Sequence, residues 1–292
     1  PHLQSRILPI TAYRCKFPEH CPGKGAIFDT FHAIVHQNDW TTTCPYCKGE
    51  ALRAEQCSVP VDVSLITKSA NSSYRGVFHD ESHYRMNAIV AGTTFVGTIR
   101  GEVAPQELQM VLSDGLWVGG KITSGFGKVT AQIRNEMIIE KESREDFRTR
   151  CDYFADCFGI ERRFIVMTLH SDAILSPQVT YMESNERYLE NLEKALFPLT
   201  MFPEGEIRLV KAIAEYEYRR GYDTSKGVNA QKPIRLVMKA GAVLMIEVLQ
   251  DSVECIEALA RVAEWGVGQE SENGYGKIVI ADPFHIQKGE LK

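Results

Sequence analysis

Long hydrophobic runs are missing from this sequence. No stretch approaches the roughly 20 apolar residues that a bilayer-spanning helix needs, so no helical membrane anchor is expected. No basic-then-apolar leader opens it either, and the expectation is a cytoplasmic protein with no membrane partner. Surplus positive charge is also lacking: 33 Lys and Arg face 38 Asp and Glu, for a net charge of -5. A chain that coats nucleic acid through a general positive field is thereby excluded, and any such contact must be local.

With 292 residues and 44% hydrophobic content, the chain can bury one large core or two ordinary ones. Two modules are expected. The first residue is Pro1, and Pro1 to Tyr13 reads as extended chain with no helical start and no strand partner nearby, so a preceding part of the gene product is expected. Acidic runs over 140–156 and 183–193 read as solvated helix faces or subunit contacts.

Four of the eight cysteines fall as Cys15-x5-Cys21 and, after 22 intervening residues, Cys44-x2-Cys47. A Cys-x-x-Cys knuckle presents two thiolates to one tetrahedral metal, and a pair from a distant loop completes the shell. Structural zinc held by Cys15, Cys21, Cys44 and Cys47 is the expectation, with His20 or Cys57 as substitutes for Cys15. Gly49, two residues after the knuckle, suits a turn whose amides support the sulfurs.

A repeat runs through the chain at a constant offset of 149 residues, relating Gly92 to Gly241, Gly119 to Gly268 and Gly125 to Gly274. Each copy reads as a strand from Gly92 or Gly241, a helix (104–112 or 252–264), a Trp and a loop Gly-x5-Gly-aromatic-Gly-Lys running into another strand. The first loop comprises Gly119, Gly120, Lys121, Gly125, Phe126, Gly127 and Lys128; the second has Gly268, Gly274, Tyr275, Gly276 and Lys277. Closely spaced glycines turn amides inward into an anion-binding concavity, the lysines add charge, and Phe126 and Tyr275 stack on a base or pin the loop. The pattern is neither a Walker A loop nor a dinucleotide-binding Gly-x-Gly-x-x-Gly. In the second loop, with Glu270 and Glu272, a packing role competes equally with RNA contact.

The paired loops resemble the signature of the RAMP superfamily, whose members build CRISPR effector complexes and process their guide RNA. The order Arg14 to Lys16, Gly25 to Thr30, Cys44 to Cys47, Gly92 to Ile99 and Leu169 to Leu175 is similar to the large type III-D subunit of the Cas-five-like group (Csx-ten). That resemblance implies an α+β fold of two ferredoxin-like (RRM-like) modules with a zinc-binding insertion. The divisions expected are 1–57 for the insertion, 58–140 for a first module lacking the family's N-terminal strand and helix, and 141–292 for the second. It further implies a subunit holding the 5′ handle of the CRISPR RNA. Its partners would be the large signalling, backbone and small subunits, with target RNA met indirectly.

Residues 68–87 are polar, basic and aromatic, and look like a hairpin laid across guide RNA, with Arg75 and Arg85 on phosphates; Arg100 joins the basic groups near the first loop. His79 and His83 have helical ligand spacing, but a helix is not expected around them. Asp29 is the sole catalytic candidate, a carboxylate that could position an attacking 2′-hydroxyl in a backbone-type endoribonuclease. Its competing role is to cap a helix over 30–36. His170, Ser171 and Asp172 adjoin in sequence and so point to opposite faces of a strand, which is no catalytic triad.

Overall fold

The computed structural model describes residues 7–36, 43–54, 61–71, 78–96, 104–119, 122–133, 142–176, 184–197, 202, 205–221 and 231–286. The chain divides into two compact units, one of residues 1–59 with 142–292 and the other of residues 60–141. No helix among the described residues is long and apolar enough to cross a membrane.

At the start of the larger unit, β1 (Ala12–Cys15) lies between β2 (Ile27–Asp29) and β3 (Ala51–Arg53) in an antiparallel sheet. The expectation of partnerless chain up to Tyr13 is corrected here: Tyr13 pairs with Phe28 on one side and Arg53 on the other. Both partners come from beyond the cysteine loops, where a local reading does not look. Helix α1 (Phe31–His36) follows, its first turn closed by the Asp29 carboxylate accepting from Phe31 N at 3.1 Å.

In residues 60–141, β4 (Val63–Asn71) and β5 (Phe78–Ile89) form a long antiparallel hairpin. Helix α2 (Pro105–Ser113) starts with proline in its first turn, where the missing N–H costs nothing. Strands β6 (Leu116–Trp117) and β7 (Lys128–Val129) then bracket the first glycine loop. The strand expected from Gly92 is not formed over Thr93–Val96. Instead the chain turns at the end of β5, with Thr93 Oγ1 and N both donating to Val90 O, and leaves Phe95 and Val96 exposed.

The larger unit resumes with α3 (Arg144–Phe158), capped by Ser143 Oγ, which accepts from Asp146 N at 3.1 Å. Next come β8 (Phe164–Leu169), β9 (Ala173–Ile174), α4 (Asn185–Leu196), β10 (Ile207–Ile213), β11 (Tyr216–Arg219), β12 (Arg235–Met238), β13 (Val243–Val248), α5 (Val253–Trp265) and β14 (Ile278–Ile280). Strands β8, β10, β13 and β14 make one antiparallel sheet in the order β10-β13-β8-β14, with α4 and α5 as the two crossovers. This is the βαββαβ order of a ferredoxin-like module.

Alternation along the strands decides its layers. Ile165, Met167 and Leu169 share one face with Leu244, Ile246, Ile278 and Ile280, and all join one core with Leu192 and Leu196 of α4 and Leu259 and Val262 of α5. Two stretches that read as single strands each break in two, and a third, 233–249, is broken near Gly241, where its glycine interrupts a strand-like run. Glu161–Leu175 gives β8 and β9, Ile207–Tyr218 gives β10 and β11, and the segment after Pro233 breaks at a turn around Gly241 into β12 and β13. The broken-off pieces form a second sheet in the order β11-β12-β9.

Candidate functional site

The four cysteine sulfurs expected as metal ligands come together, all within 4.8 Å of one another. Cys15 is brought by the end of β1, Cys21 by the 3-10 turn Pro18–His20, and Cys44 and Cys47 by a knuckle closed at its base by the Thr43–Glu50 bridge. Cys15 and Cys47 lie 3.6 Å apart, as do Cys21 and Cys44. Those separations are far too long for a disulfide bond, about 2.05 Å. They match a tetrahedron with metal–sulfur distances of about 2.3 Å, whose sulfurs sit about 3.8 Å apart. The donor set could therefore hold a metal ion.

Backbone amides support the sulfurs: Phe17 N donates to Cys15 Sγ at 3.4 Å. Burial works to raise the Cys44 thiol, yet amides of Cys47 and Tyr46 and the neighbouring sulfurs outweigh it and bring it down to about 7. Burial pushes Cys21 up to about 12, against the amide of Gly23. The turn itself differs from expectation. The left-handed residue is Lys48, with φ of 59°, while Gly49 serves by lacking a Cβ that would stand 3.3 Å from Cys47 Sγ. Of the alternative ligands, His20 is not part of the cluster and Cys57 lies outside the described residues.

The two glycine loops are built alike. In the first, Val118 N donates to Gly127 O at 2.8 Å; in the second, Val267 N donates to Gly276 O at 2.9 Å. Each then carries a 3-10 turn, Ile122–Ser124 and Ser271–Asn273, followed by a left-handed glycine, Gly125 and Gly274. The reason for glycine is clearest at Gly127 and Gly276. A Cβ there would lie 2.3 Å from Val118 O and 1.8 Å from Val267 O, and φ is +81° and +70°. Each of these pairs is separated by the same 149 positions found in the sequence.

Their surroundings differ. In the second loop Gly268 N donates to Leu196 O, Gln269 N to Ile174 O and Gly276 N to Asp172 O. Lys277 N donates to Ser171 Oγ at 2.8 Å. Glu270 pairs with Arg235 of β12, which holds its carboxyl below the usual carboxylate range. These amides fasten the loop to β9 and α4. The first loop leaves Gly119, Ser124, Gly125 and Lys128 exposed. There Lys68 of β4 places its Nζ 4.4 Å from the Phe126 ring centroid and 3.4 Å from Ser124 O, so hairpin and loop meet in one surface. Lys68 was not singled out in the sequence, because a cation–π partner 58 positions away leaves no local signal. His79 and His83 lie on β5, a strand rather than a helix. Gly120, Lys121, Arg75 and Arg100 lie outside the described residues.

Asp29 is enclosed. Its side chain is 7% exposed, with Oδ1 taken by Phe31 N and Oδ2 facing His285 Nδ1 at 2.7 Å. His285 Nε2 in turn lies 2.8 Å from Thr168 Oγ1, and Thr168 is fully buried. The Asp-His-Thr chain has the order of a nucleophile relay, but no solvent reaches the hydroxyl, so its chemistry here is fastening. Nearby, His170 Nε2 lies 3.1 Å from Asp282 Oδ2, and Asp172 receives Ala240 N and pairs with Arg219. His170, Ser171 and Asp172 thus bond to separate partners.

No protein-family model matches the chain, and no curated protein matches it. Among solved structures, it is similar to a histidine-to-alanine mutant of Cas6, at 12% identity and a TM-score of 0.22, over 44% of this chain and 56% of that one. It is also similar to Cas6 in a substrate mimic complex, at 12% identity and a TM-score of 0.22, over 40% of this chain and 53% of that one. The matched region thus spans about half the length of each Cas6 chain.

Proposed function

We propose that this chain is an RNA-binding structural subunit of a type III CRISPR effector ribonucleoprotein. In this reading it holds the 5′ handle of the CRISPR RNA and contacts the large signalling and backbone subunits in antiviral defence. The observation that carries the proposal is the duplicated loop, with its Val118–Gly127 and Val267–Gly276 hydrogen bonds 149 residues apart. The two loops of this chain thus repeat one another in backbone hydrogen bonding as well as in letters, and the letters are those of the RAMP resemblance.

The first loop is the main RNA contact. Side-chain-poor backbone at Gly119 and Gly125 admits a sugar-phosphate chain, Lys68 and Lys128 supply charge and Phe126 offers a ring to a base, while Arg85, paired with Thr67, lies on the other face of the hairpin. In the second loop, contact falls to the side chains of Lys277 and Tyr275, since much of its backbone is committed within the chain. The four-cysteine cluster holds zinc in a closed shell that fixes the ends of β1 and β3 without a vacant catalytic position.

The test is to purify the chain within its effector assembly, photo-crosslink a guide RNA carrying 4-thiouridine in its 5′ handle, and map the adducts. Adducts on the peptides containing Phe126 and Lys128 are expected. Adducts confined to other subunits would overturn the assignment.

A further inference from the structure

The sheet of the ferredoxin-like module has a second face, opposite α4 and α5, made by Phe164, Val166 and Thr168 of β8, Val243, Met245 and Glu247 of β13, and Arg208 and Lys211 of β10. At the Thr168 end this face is covered: His285 bonds Thr168, and its ring lies against Phe31 and Phe154. The other end is open. There a groove of 320 Å³ is lined by Val35, Arg163, Phe164, Arg208, Val210, Lys211, Met245 and Glu247.

The groove has an apolar floor and a cationic rim. Glu247, 5% exposed, is held between two guanidiniums, with Oε1 3.0 Å from Arg163 Nη1 and Oε2 bonded by Arg208. Both arginines keep more than half of their side chains in solvent, 53% and 63%. The Arg163 guanidinium also stands 5.0 Å from the Phe164 ring centroid and pairs with Glu161 at 2.8 Å. Lys211 adds a third cation whose Nζ donates to Ile34 O at 2.9 Å, and burial lowers its pKa. Two guanidiniums thus flank one buried acid, with Lys211 lining the same groove and Glu161 paired to Arg163. A carboxylate in this place orients the guanidiniums, whose side chains stay more than half in solvent.

From this geometry we infer that the groove binds one nucleotide unit, its base against Phe164, Met245 and Val210 and its phosphate on Arg163, Arg208 and Lys211. The planar guanidinium fork matches phosphate, and flat apolar side chains beside a cation match a base. An acidic peptide would suit the charge, but the Phe164 ring beside the cations favours a ligand with a flat base. The volume is at the small end of the ligand-pocket range of roughly 300–1,000 Å³, the scale of a single nucleotide. The inference rests on the RNA-binding reading and adds a second contact point to it, separate from the glycine loops.

The experiment uses the zinc-loaded full chain and a short fluorescein-labelled oligoribonucleotide followed by anisotropy. Lys211→Gln keeps a donor for Ile34 O and both partners of Glu247; Arg163→Glu reverses one rim charge. Each variant is expected to weaken binding by roughly tenfold and to lower the salt slope by about one. Uridine monophosphate as competitor separates the two sources of the ligand. Competition at concentrations matching the oligonucleotide assigns the groove to a free nucleotide; failure to compete assigns it to a nucleotide within a chain. Displacement of the RNA by polyglutamate at equal charge overturns the nucleotide assignment. Should either variant fail to fold by circular dichroism, 4-thiouridine crosslinking of the unaltered chain decides, with adducts at Arg163–Phe164 or Met245 expected. Adducts confined to residues 60–141, or folded variants with undiminished affinity, overturn the groove and leave the glycine-loop reading standing. No binding of RNA by the unaltered chain overturns both.

Discussion

His285 Nδ1 lies 2.7 Å from Asp29 Oδ2, tying residues 256 positions apart in one buried contact. Through Nε2 the same ring reaches Thr168 in the centre of the ferredoxin-like sheet. One imidazole therefore joins the strand before α1, the C-terminal turn and β8.

Asp29→Ala removes the acceptor for both the His285 ring and the Phe31 amide. Each group left unsatisfied in the interior costs about 1–3 kcal/mol, so the variant is expected to lose about 2–6 kcal/mol of unfolding free energy in urea titrations. A guide-loaded assembly carrying it should cleave complementary target at every position once the chain is folded. Unchanged stability together with the loss of one cut would instead identify Asp29 as catalytic.

The glycine loops make a graded prediction. Gly276→Ala sets a Cβ against Val267 O at 1.8 Å and Gly127→Ala sets one against Val118 O at 2.3 Å, whereas Gly274→Ala meets nothing within 4 Å. All three strain a positive φ, worth roughly 1 kcal/mol, but only the first two must also displace backbone. Urea midpoints should fall in the order Gly274→Ala least, then Gly127→Ala and Gly276→Ala. Equal shifts would mean that the carbonyls yield freely.

Much of this architecture is legible in the sequence because it is local or periodic. Ser143, Ser184 and Ser252 each cap the helix that the apolar spacing marks, and the cysteine spacing points to the cluster that forms. The repeat is visible because Gly127 and Gly276 admit no side chain. What escapes is set by pairing across the fold. Nothing near Tyr13 announces its partners Phe28 and Arg53, and nothing near Glu247 announces the two arginines that enclose it. The strand break after Ile213 also escapes, since β-rich letters continue through it and only the second sheet reveals the change of partner, whereas the break near Gly241 is marked by its glycine.

Asp282 supplies a pH-dependent increment of stability. Burial alone would raise its carboxyl, but the hydrogen bonds from His170 and Phe284 N and the nearby histidines hold it below the ordinary value of 3.8. A depressed folded-state pKa gives stabilisation that is complete above the unfolded value and lost as pH falls through the folded one. Asp282→Asn should therefore destabilise the chain near neutral pH, and the gap from the parent should close as pH drops below 3.8. A gap that widens with acid would contradict this sign.

Zinc content offers a separate check. The purified chain is expected to carry about one zinc per molecule by elemental analysis, as a four-cysteine shell requires, and Cys21→Ser should lose it. Chelation should also let the freed thiolates take up protons and loosen the β1–β3 sheet, since metal binding, ligand deprotonation and local folding are coupled. A chain with no bound metal and an unchanged melting curve after chelation would remove zinc from the account.

The most direct measurement for the central claim is equilibrium binding of 5′-handle RNA by the zinc-loaded chain across a salt series, alone and with Lys128→Glu. Binding that weakens linearly in log salt, with Lys128→Glu weaker at every salt and its slope shallower by about one to two, is the predicted result. RNA binding indistinguishable between the two proteins, or none at low salt, would contradict it.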